Sequence, residues 1–198
     1  MKPQGPACER CGTALRAGAR SVARYCSTRC RVAAHRARRS VPAELSRRPR
    51  WIRRTARKVP LTIDGAAASS TDPSTWSRYR DAAASSAGAG LGFVLDGDGV
   101  VCLDLDHCLD VEGTVAGWAQ NVLDAVAGSS WVEVSPSGDG LHVWGHGRLP
   151  GGAGRRLRLG EGTVEVYATG RYIAVTGRTF GDTPQRLGDL QHVIDSLL

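Results

Sequence analysis

The sequence contains no apolar run that approaches the roughly 18 to 20 residues needed for a membrane-spanning helix. Its first residues also lack the apolar core of a signal peptide. From these two absences we expect neither a helical membrane span nor a conventional secretion leader. We therefore expect a cytoplasmic protein with no membrane partner.

Acidic residues are scarce in the first third of the chain. Residues 1–60 contain 17 Lys and Arg against 2 Asp and Glu, whereas residues 61–198 contain 9 against 17. Most of the positive charge is arginine, which forks onto phosphate oxygens and stacks on bases better than lysine does. The distribution fits a phosphate-seeking arm joined to a domain that uses carboxylates for another purpose. A solubilising basic tail and a GC-rich genome are the alternatives.

The cysteines are unevenly distributed, which argues against a disulfide framework. Two of them, Cys102 and Cys108, are isolated and are expected to be small packing residues. The other four form two pairs with the spacing of zinc ligands, Cys8-x2-Cys11 and Cys26-x3-Cys30. Four thiolates close a tetrahedral site, so the predicted zinc ion is structural.

The chain is predicted to have three parts. Residues 1–40 form a zinc-binding finger, in which Ser27 caps a basic helix suited to phosphate contacts. Residues 41–60, rich in arginine and proline, are predicted to be a linker. Residues 61–198 form the main domain.

The main domain alternates short apolar runs with glycine-rich turns. A capped helix from Asp72, a helix over residues 112–126 and a closing helix from Pro184 accompany the strands. The predicted strands cover residues 92–95, 100–105, 131–134, 141–144, 163–167 and 172–175, the first two as a hairpin. This order predicts an α+β fold with a mixed or antiparallel sheet flanked by helices.

Three acids occupy strand positions that favour the binding of a metal ion. Alternation places Asp104 and Asp106 on one face of the same strand, where two carboxylates repel each other unless a cation lies between them. Glu165 lies in the middle of an apolar strand. Oxygen ligands of this kind favour Mg²⁺ or Mn²⁺. A strand-end residue and a turn cap are the alternative roles for the two aspartates.

A glycine turn precedes one of the predicted strands, in Ser135-Pro-Ser-Gly-Asp-Gly-Leu-His142. Its backbone amides are suited to cradling a phosphate, with hydroxyls from Ser135 or Ser137 and a donor from His142. A histidine bonded within the sheet is the alternative.

The glycine- and arginine-rich stretch 147–162 is predicted to be a loop that clamps template or triphosphate. Lys58 is left outside the site because linker basicity explains it equally well.

The ordered set Asp104-x-Asp106, Ser137-Gly-x-Gly-x-His142-x-Trp144 and Glu165 resembles the archaeo-eukaryotic primase superfamily. More closely, it resembles the bifunctional primase-polymerase domain of phage and plasmid replication modules. The resemblance covers roughly residues 45–180.

This resemblance implies an RRM-like catalytic core over residues 61–198 and template-dependent nucleotidyl transfer by a two-metal mechanism. Asp104, Asp106 and Glu165 would bind Mg²⁺ or Mn²⁺. The nucleotide would be bound by His142, together with Ser135, Ser137 and Arg171. Single-stranded DNA and nucleoside triphosphates would be its partners, in a bacterial or phage-infected cell. No helicase motif follows the domain, so any replicative helicase is expected to act in trans.

Two other functions stay open on the sequence. A rolling-circle nickase would use a metal, histidines and a tyrosine nucleophile, but its His-x-His pair is absent because His142 and His146 are four residues apart. A noncatalytic zinc-finger accessory protein would bind DNA through the finger and the arginine-rich segment alone. The third acid is Glu where many superfamily members have Asp, which changes its reach and leaves its ligand chemistry possible.

Overall fold

The computed structural model describes residues 7–8, 11–15, 23–37, 41–152 and 154–198. The chain divides into two compact units, Met1–Ser40 and Val41–Leu198. In the first unit, helix α1 (Thr28–Ala37) begins after Ser27, whose hydroxyl accepts a hydrogen bond from the amide of Cys30 at 3.2 Å. The cap predicted at this position is thus present.

The second unit is built from short strands and four helices within its described residues. The helices are α2 (Ala43–Ser46), α3 (Tyr79–Ala84), α4 (Gly117–Ala125) and α5 (Gln191–Leu197). The strands are β1 (Trp51–Arg54), β2 (Pro60–Leu61), β3 (Gly90–Asp96), β4 (Val100–Asp106), β5 (Trp131–Val134), β6 (Leu141–His146), β7 (Arg155–Leu159), β8 (Gly162–Tyr167), β9 (Thr169–Val175) and β10 (Gly188–Asp189).

The strands form two sheets. The smaller sheet has the order β2-β1-β3-β9, and the larger has the order β10-β6-β4-β8-β7, with β5 also paired to β6. Of these pairings, β10 with β6 is parallel and the others are antiparallel. The predicted α+β class with a mixed or antiparallel sheet is confirmed.

Strand β4 lies at the centre of the larger sheet and separates two environments by simple alternation. Val101, Leu103 and Leu105 point to one face, where they are fully buried in a core that includes residues of α4 and α5. The intervening residues, Asp104 among them, point to the opposite face. An apolar face anchors the strand, so its acidic face is held in a fixed position.

An aromatic core joins the two sheets next to the acids. Trp144 of β6 contacts Phe93 of β3, with ring centroids 5.8 Å apart, and stacks on Trp131 at 6.2 Å. Phe93 in turn meets Trp51 of β1 edge to face at 5.2 Å. All four rings are fully buried, and such contacts contribute about 0.5–1.5 kcal/mol each beyond area burial. The sheets are therefore firmly joined beside the acidic face.

Residues 41–60, predicted to be a linker, are instead part of the folded unit. Leu45, Trp51 and Ile52 are fully buried, and the Trp51 indole donates a hydrogen bond to the carbonyl of Leu45 at 3.1 Å. Arg50 is buried over the ring of Phe93, 4.9 Å from its centroid, and its guanidinium pairs with carboxylates of the β3–β4 turn. Arginine content misled the prediction because this arginine has partners inside the fold.

Two predicted helices begin later than expected. The helix predicted from Asp72 is α3, which begins only at Tyr79. After Asp72 the chain makes a 3-10 turn, Pro73–Thr75, because Trp76 is extended and its indole donates to the carbonyl of Ser69 at 2.7 Å. The next predicted helix begins at Gly117, because Asp110 holds residues 110–114 in a turn by accepting two backbone amide hydrogen bonds.

Two further differences concern the second half of the chain. The stretch 147–162, predicted to be a loop, contains strand β7 at the edge of the larger sheet. The closing helix, expected from Pro184, begins at Gln191 because residues 188–189 first form β10. No helix in the described ranges is long and apolar enough to cross a membrane.

Candidate active site

Five ionisable residues form one row across the larger sheet. Strand pairing sets Glu133 of β5 opposite His142 of β6, His142 opposite Asp104 of β4, Asp104 opposite Glu165 of β8, and Glu165 opposite Arg156 of β7. Residues directly opposite each other in an antiparallel sheet point to the same face. The sheet therefore presents a histidine, an acidic centre and an arginine in fixed order.

The acidic centre consists of the three carboxylates that the sequence suggested as metal ligands. Asp104, Asp106 and Glu165 each offer an oxygen within 4.8 Å of the others. Asp104 and Asp106 share a face of β4, and Glu165 reaches them from the neighbouring strand. The structure thus brings together residues that are 61 positions apart in the chain.

Asp104 gives the clearest structural sign that this centre suits a cation. Its side chain is 18% exposed, and Oδ1 is buried without a hydrogen-bond partner. Burial raises the pKa of Asp104, and Asp106 and Glu165 add to that rise, against the lowering effect of the charges on His142 and Lys58. A buried carboxylate oxygen without a donor is unfavourable. The residues present therefore fit a hard divalent cation such as Mg²⁺ or Mn²⁺.

Glu165 is held by two neighbours that the sequence analysis did not single out for this role. Tyr167 donates its hydroxyl to Oε2 of Glu165, and Arg156 Nε lies 3.5 Å from Oε1. Burial and this hydrogen bond raise the pKa of Tyr167, so the phenol stays a neutral donor. The sequence signal for Tyr167 was its spacing of two residues from Glu165, which places both on one face.

His142 is buried between two carboxylates. Its Nδ1 lies 3.2 Å from Oε1 of Glu133, in a hydrogen bond, and its Nε2 lies 3.5 Å from Oδ1 of Asp104, an ion-pair separation without a hydrogen bond. Burial alone would lower the pKa of His142, but the hydrogen bond and charge of Glu133, with the charge of Asp104, raise it overall. The ring thus directs Nε2 toward the acidic centre.

Glu133 connects this histidine to both sheets. Its side chain is fully buried, and it accepts hydrogen bonds from His142 and from the Trp144 indole at 3.1 Å on β6. It also accepts from the amide and hydroxyl of Thr176 at 2.9 and 3.0 Å and from the amide of Gly177 at 2.9 Å, just after β9. Five donors satisfy the buried carboxylate, which therefore fixes the orientation of the imidazole.

Ser135 and Ser137 lie in the turn between β5 and β6. Their hydroxyls are 2.8 Å apart and bonded to each other, and Arg178 donates to the carbonyl of Ser135 at 3.0 Å. Gly138 has φ of +94°, which a side chain rarely adopts. The turn is thus well ordered beside the strand that carries His142.

A cleft of about 380 Å³ opens between the sheets beside Asp104 and His142. The facing wall belongs to the smaller sheet and consists of Lys58, in the turn between β1 and β2, and of Arg171 and Tyr172 on β9. Of the residues predicted to bind nucleotide, His142 and Arg171 line this cleft, whereas Ser135 and Ser137 are not part of its wall.

Lys58 was missed as a site residue. It adopts a left-handed backbone with φ of +60°, and its carbonyl accepts a hydrogen bond from the Tyr172 hydroxyl. Its charge acts on both Asp104 and His142. No local sequence pattern distinguishes it from the arginines nearby. With Arg171, it gives the cleft two cations opposite the acids, an arrangement suited to a polyphosphate.

The N-terminal unit contains the second cluster of metal-ligating groups. The sulfurs of Cys8, Cys11, Cys26 and Cys30 all lie within 4.8 Å of one another. Cys26 Sγ is 3.6 Å from both Cys11 Sγ and Cys30 Sγ, and sulfurs bound at about 2.3 Å to one tetrahedral ion are about 3.8 Å apart. Contacts with Cys11 and Cys30 raise the pKa of Cys26 to about 12, so a bound metal must displace its proton.

The two remaining cysteines are packing residues, as expected. Cys102 and Cys108 are fully buried in the two apolar cores. Burial raises the pKa of each thiol, to about 12 for Cys108. Neither belongs to a metal-ligating group within the described residues.

Comparison with known proteins gives two findings. Residues 24–189 match the Prim-Pol family, described as the N-terminal domain of bifunctional DNA primase/polymerase. A DNA primase-polymerase from Nitratiruptor phage NrS-1 is 41% identical over 146 residues, which are 69% of this chain and 20% of the phage protein. The chain therefore spans about a fifth of the length of that relative.

Removing the Glu133 carboxylate should destabilise the second unit. Glu133→Ala leaves four donors without this acceptor, since the Thr176 hydroxyl still has the carbonyl of Val134 at 2.7 Å, and we expect the free energy of unfolding to fall by about 3–5 kcal/mol. Urea denaturation followed by tryptophan fluorescence measures this. Glu112→Ala, at an exposed turn position, is the matched control and should change stability by less than about 0.5 kcal/mol. Equal stability of the two variants would contradict the structural role of Glu133.

Removing one thiolate from the cysteine cluster should release its metal. We expect purified protein to contain about one zinc ion per chain by elemental analysis and Cys26→Ser to contain much less, because a structural site needs all four ligands. Cys108→Ala should keep its zinc, since Cys108 is buried elsewhere. A zinc content that is the same in all three proteins would show that the cluster does not hold it.

Proposed function

This chain belongs to the bifunctional DNA primase/polymerase family, and we propose that it transfers nucleotides to a growing strand on a single-stranded DNA template during phage or plasmid replication. The observation that supports this best is the row in which a three-carboxylate centre lies between a buried histidine and an arginine. A neighbouring cleft offers cations for a triphosphate.

The acidic centre is proposed to hold two divalent cations through Asp104, Asp106 and Glu165. When bound, these ions would neutralise charge on the reacting phosphate and make the attacking hydroxyl more acidic. The chain's own contribution is position, since β4 and β8 fix the three carboxylates from a fully apolar underside. Tyr167 keeps Glu165 in place through its hydroxyl.

The cleft residues are proposed to bind the incoming nucleoside triphosphate. His142, oriented by Glu133, presents Nε2 toward the acidic centre as a donor to a phosphate oxygen. Lys58 and Arg171 supply positive charge from the facing wall. The turn with Ser135 and Ser137 is proposed to assist, since it leads directly into the strand that carries His142.

The proposed reaction is attack of a 3′-hydroxyl oxygen on the α-phosphorus. A new oxygen–phosphorus bond forms, the bond to the bridging oxygen of pyrophosphate breaks, and the hydroxyl proton passes to solvent. Positioning and electrostatic stabilisation account for most of the catalysis of such transfers. The fixed row of charged groups and the buried histidine serve that purpose.

Incorporation of a labelled nucleotide on single-stranded DNA, with and without a primer, tests the proposal in Mg²⁺ or Mn²⁺. We expect template-dependent product from the native chain and a loss of about 10³-fold or more in Asp104→Ala/Asp106→Ala, since the variant lacks two of three ligands. Asp124→Ala, on α4 at the opposite face of the sheet, should retain activity.

The outcomes separate two functions. DNA binding without product from either the native chain or the double variant would favour a noncatalytic DNA-binding module. Product that persists in the double variant would show that the reaction takes place elsewhere.

A further inference from the structure

Strand β7 places a group of arginines at the edge of the larger sheet, next to the acidic centre. Arg155, Arg156 and Arg158 are exposed along this strand. Pairing sets Arg156 opposite Glu165 and Arg158 opposite Thr163, which in turn lies opposite Asp106. Arg156 and Arg158 therefore point to the same face as the three acids.

The sheet order places these arginines on the far side of the acids from His142. Adjacent strands are about 4.8 Å apart, so the backbone of Arg156 lies about 10 Å from that of Asp104 and about 14 Å from that of His142. In the strand order β6-β4-β8-β7, the histidine comes first, the carboxylates follow and the arginines come last. Positive charge therefore lies on both sides of the acids.

A second cavity, of about 460 Å³, marks the arginine side, and we call it the arginine pocket. Arg155 and Arg156 line it from β7, and Arg171 lines it from β9. The Arg171 guanidinium stacks over the ring of Tyr167, 4.5 Å from its centroid. Tyr167 and Arg171 also line the cleft, so this stacked pair forms a shared wall between the two cavities.

The arginine pocket has more positive charge than its neighbours neutralise. Its described lining contains no Asp or Glu. Arg156, with a side chain 73% exposed, lies 3.5 Å from Glu165, and Arg155 donates to the carbonyl of Pro150 at 3.4 Å. Arg156 and Arg171 bring guanidinium groups to this cavity from two different sheets, whereas Arg155 lies opposite Val166, so its side chain projects toward the other face of β7. Two such groups favour an anionic ligand, and arginine is well suited to phosphate oxygens.

Edge protection is the competing explanation, because charged side chains on an edge strand prevent pairing with another chain. It accounts for an exposed arginine such as Arg158. It does not account for Arg171, which comes from a strand of the other sheet and is held over Tyr167. Convergence of arginines from two sheets on one cavity indicates a binding role.

The geometry of phosphoryl transfer determines which anion this is. The attacking oxygen and the leaving group lie on opposite sides of the phosphorus. With the triphosphate in the cleft of Lys58 and His142, the strand bearing the 3′-hydroxyl must approach across the acids from β7. Resting on the proposed function, we propose that the arginine pocket binds the phosphodiester backbone of the primer strand, close to its 3′ end.

Binding measured without catalysis tests the proposal directly. Fluorescence anisotropy with a labelled primer–template, without nucleotide or divalent cation, should show about a 10-fold weaker Kd for Arg155→Ala/Arg156→Ala. The slope of log K against log salt should decrease by about 1 for each phosphate that the variant no longer neutralises. Arg155→Ala alone leaves the contact of Arg156 with Glu165 intact and should weaken binding less than the double variant, because the Arg155 side chain projects toward the other face of β7. Arg80→Ala, an exposed arginine on α3 paired with Asp81, should bind like the native chain.

A neutral backbone linkage locates the interaction. A methylphosphonate placed at one of the last three primer linkages should weaken binding to the native chain, and the same substitution should cost the double variant little. Equal sensitivity of the two proteins would overturn the proposal. Weakening that follows methylphosphonates in the template strand would overturn it as well.

Steady-state extension separates failure of this proposal from failure of the proposed function. We expect the double variant to have a raised KM for primer–template. Arg155→Ala, which leaves the contact of Arg156 with Glu165 intact, should keep a KM for the nucleotide within about 2-fold of native. If the native chain extends primers normally and the double variant binds primer–template as tightly as the native chain, the proposal that the arginine pocket binds the primer is wrong, and the proposed function is unaffected. If the native chain does not extend primers but its binding to primer–template still depends on the arginines, the proposed function is wrong and the proposed role of the pocket is unaffected.

Discussion

Mutual repulsion among three carboxylates is the constraint on which the site depends. Asp104, Asp106 and Glu165 are brought within 4.8 Å, and one oxygen of Asp104 is buried with no hydrogen-bond donor. An arrangement of this kind is unfavourable without a cation, and the fold tolerates it because the other face of β4 is anchored in an apolar core. Active sites commonly carry such locally unfavourable arrangements, which are offset by stability elsewhere in the fold.

The groups around the acids form a graded electrostatic environment. Glu133 is the opposite case to Asp104, since five donors surround its buried carboxylate. Because those donors belong to β6 and to the segment after β9, one side chain both joins the sheets and sets the direction of His142. A buried carboxylate that is fully satisfied thus supports one that is left open for a ligand. The two cavities on either side of Tyr167 and Arg171 are proposed to hold two phosphate-bearing groups.

Sequence reasoning placed residues correctly where local periodicity determines which face of a strand they occupy. Alternation in β4 placed Asp104 and Asp106 on one face and Glu165 within a strand, and the family resemblance joined the three residues that the structure brings together. Paired cysteine spacing anticipated the sulfur cluster. The prediction of a linker over residues 41–60 was wrong because composition does not show that Arg50 finds carboxylate partners in a turn 46 residues away.

Other parts of the site depend on packing between distant segments, which one sequence does not reveal. Lys58 reaches the cleft through a left-handed turn, and the role of Tyr167 depends on contacts with both Glu165 and Arg171. The prediction of a loop over residues 147–162 missed strand β7, because arginine-rich composition does not reveal that the strand pairs with β8. The roles of the site residues, including Ser135 and Ser137, stay predictions until they are measured.

Direct counting of bound Mn²⁺ tests the central claim, that the three carboxylates form a cation site for nucleotidyl transfer. Free Mn²⁺ is measured by its electron paramagnetic resonance signal during titration of the protein with a nucleoside triphosphate analogue that cannot be cleaved between its α- and β-phosphates. We expect about two ions per chain in the native complex and at least one fewer in Asp104→Asn, beyond what the analogue binds alone. Identical Mn²⁺ binding by the native chain and the variant would contradict the claim.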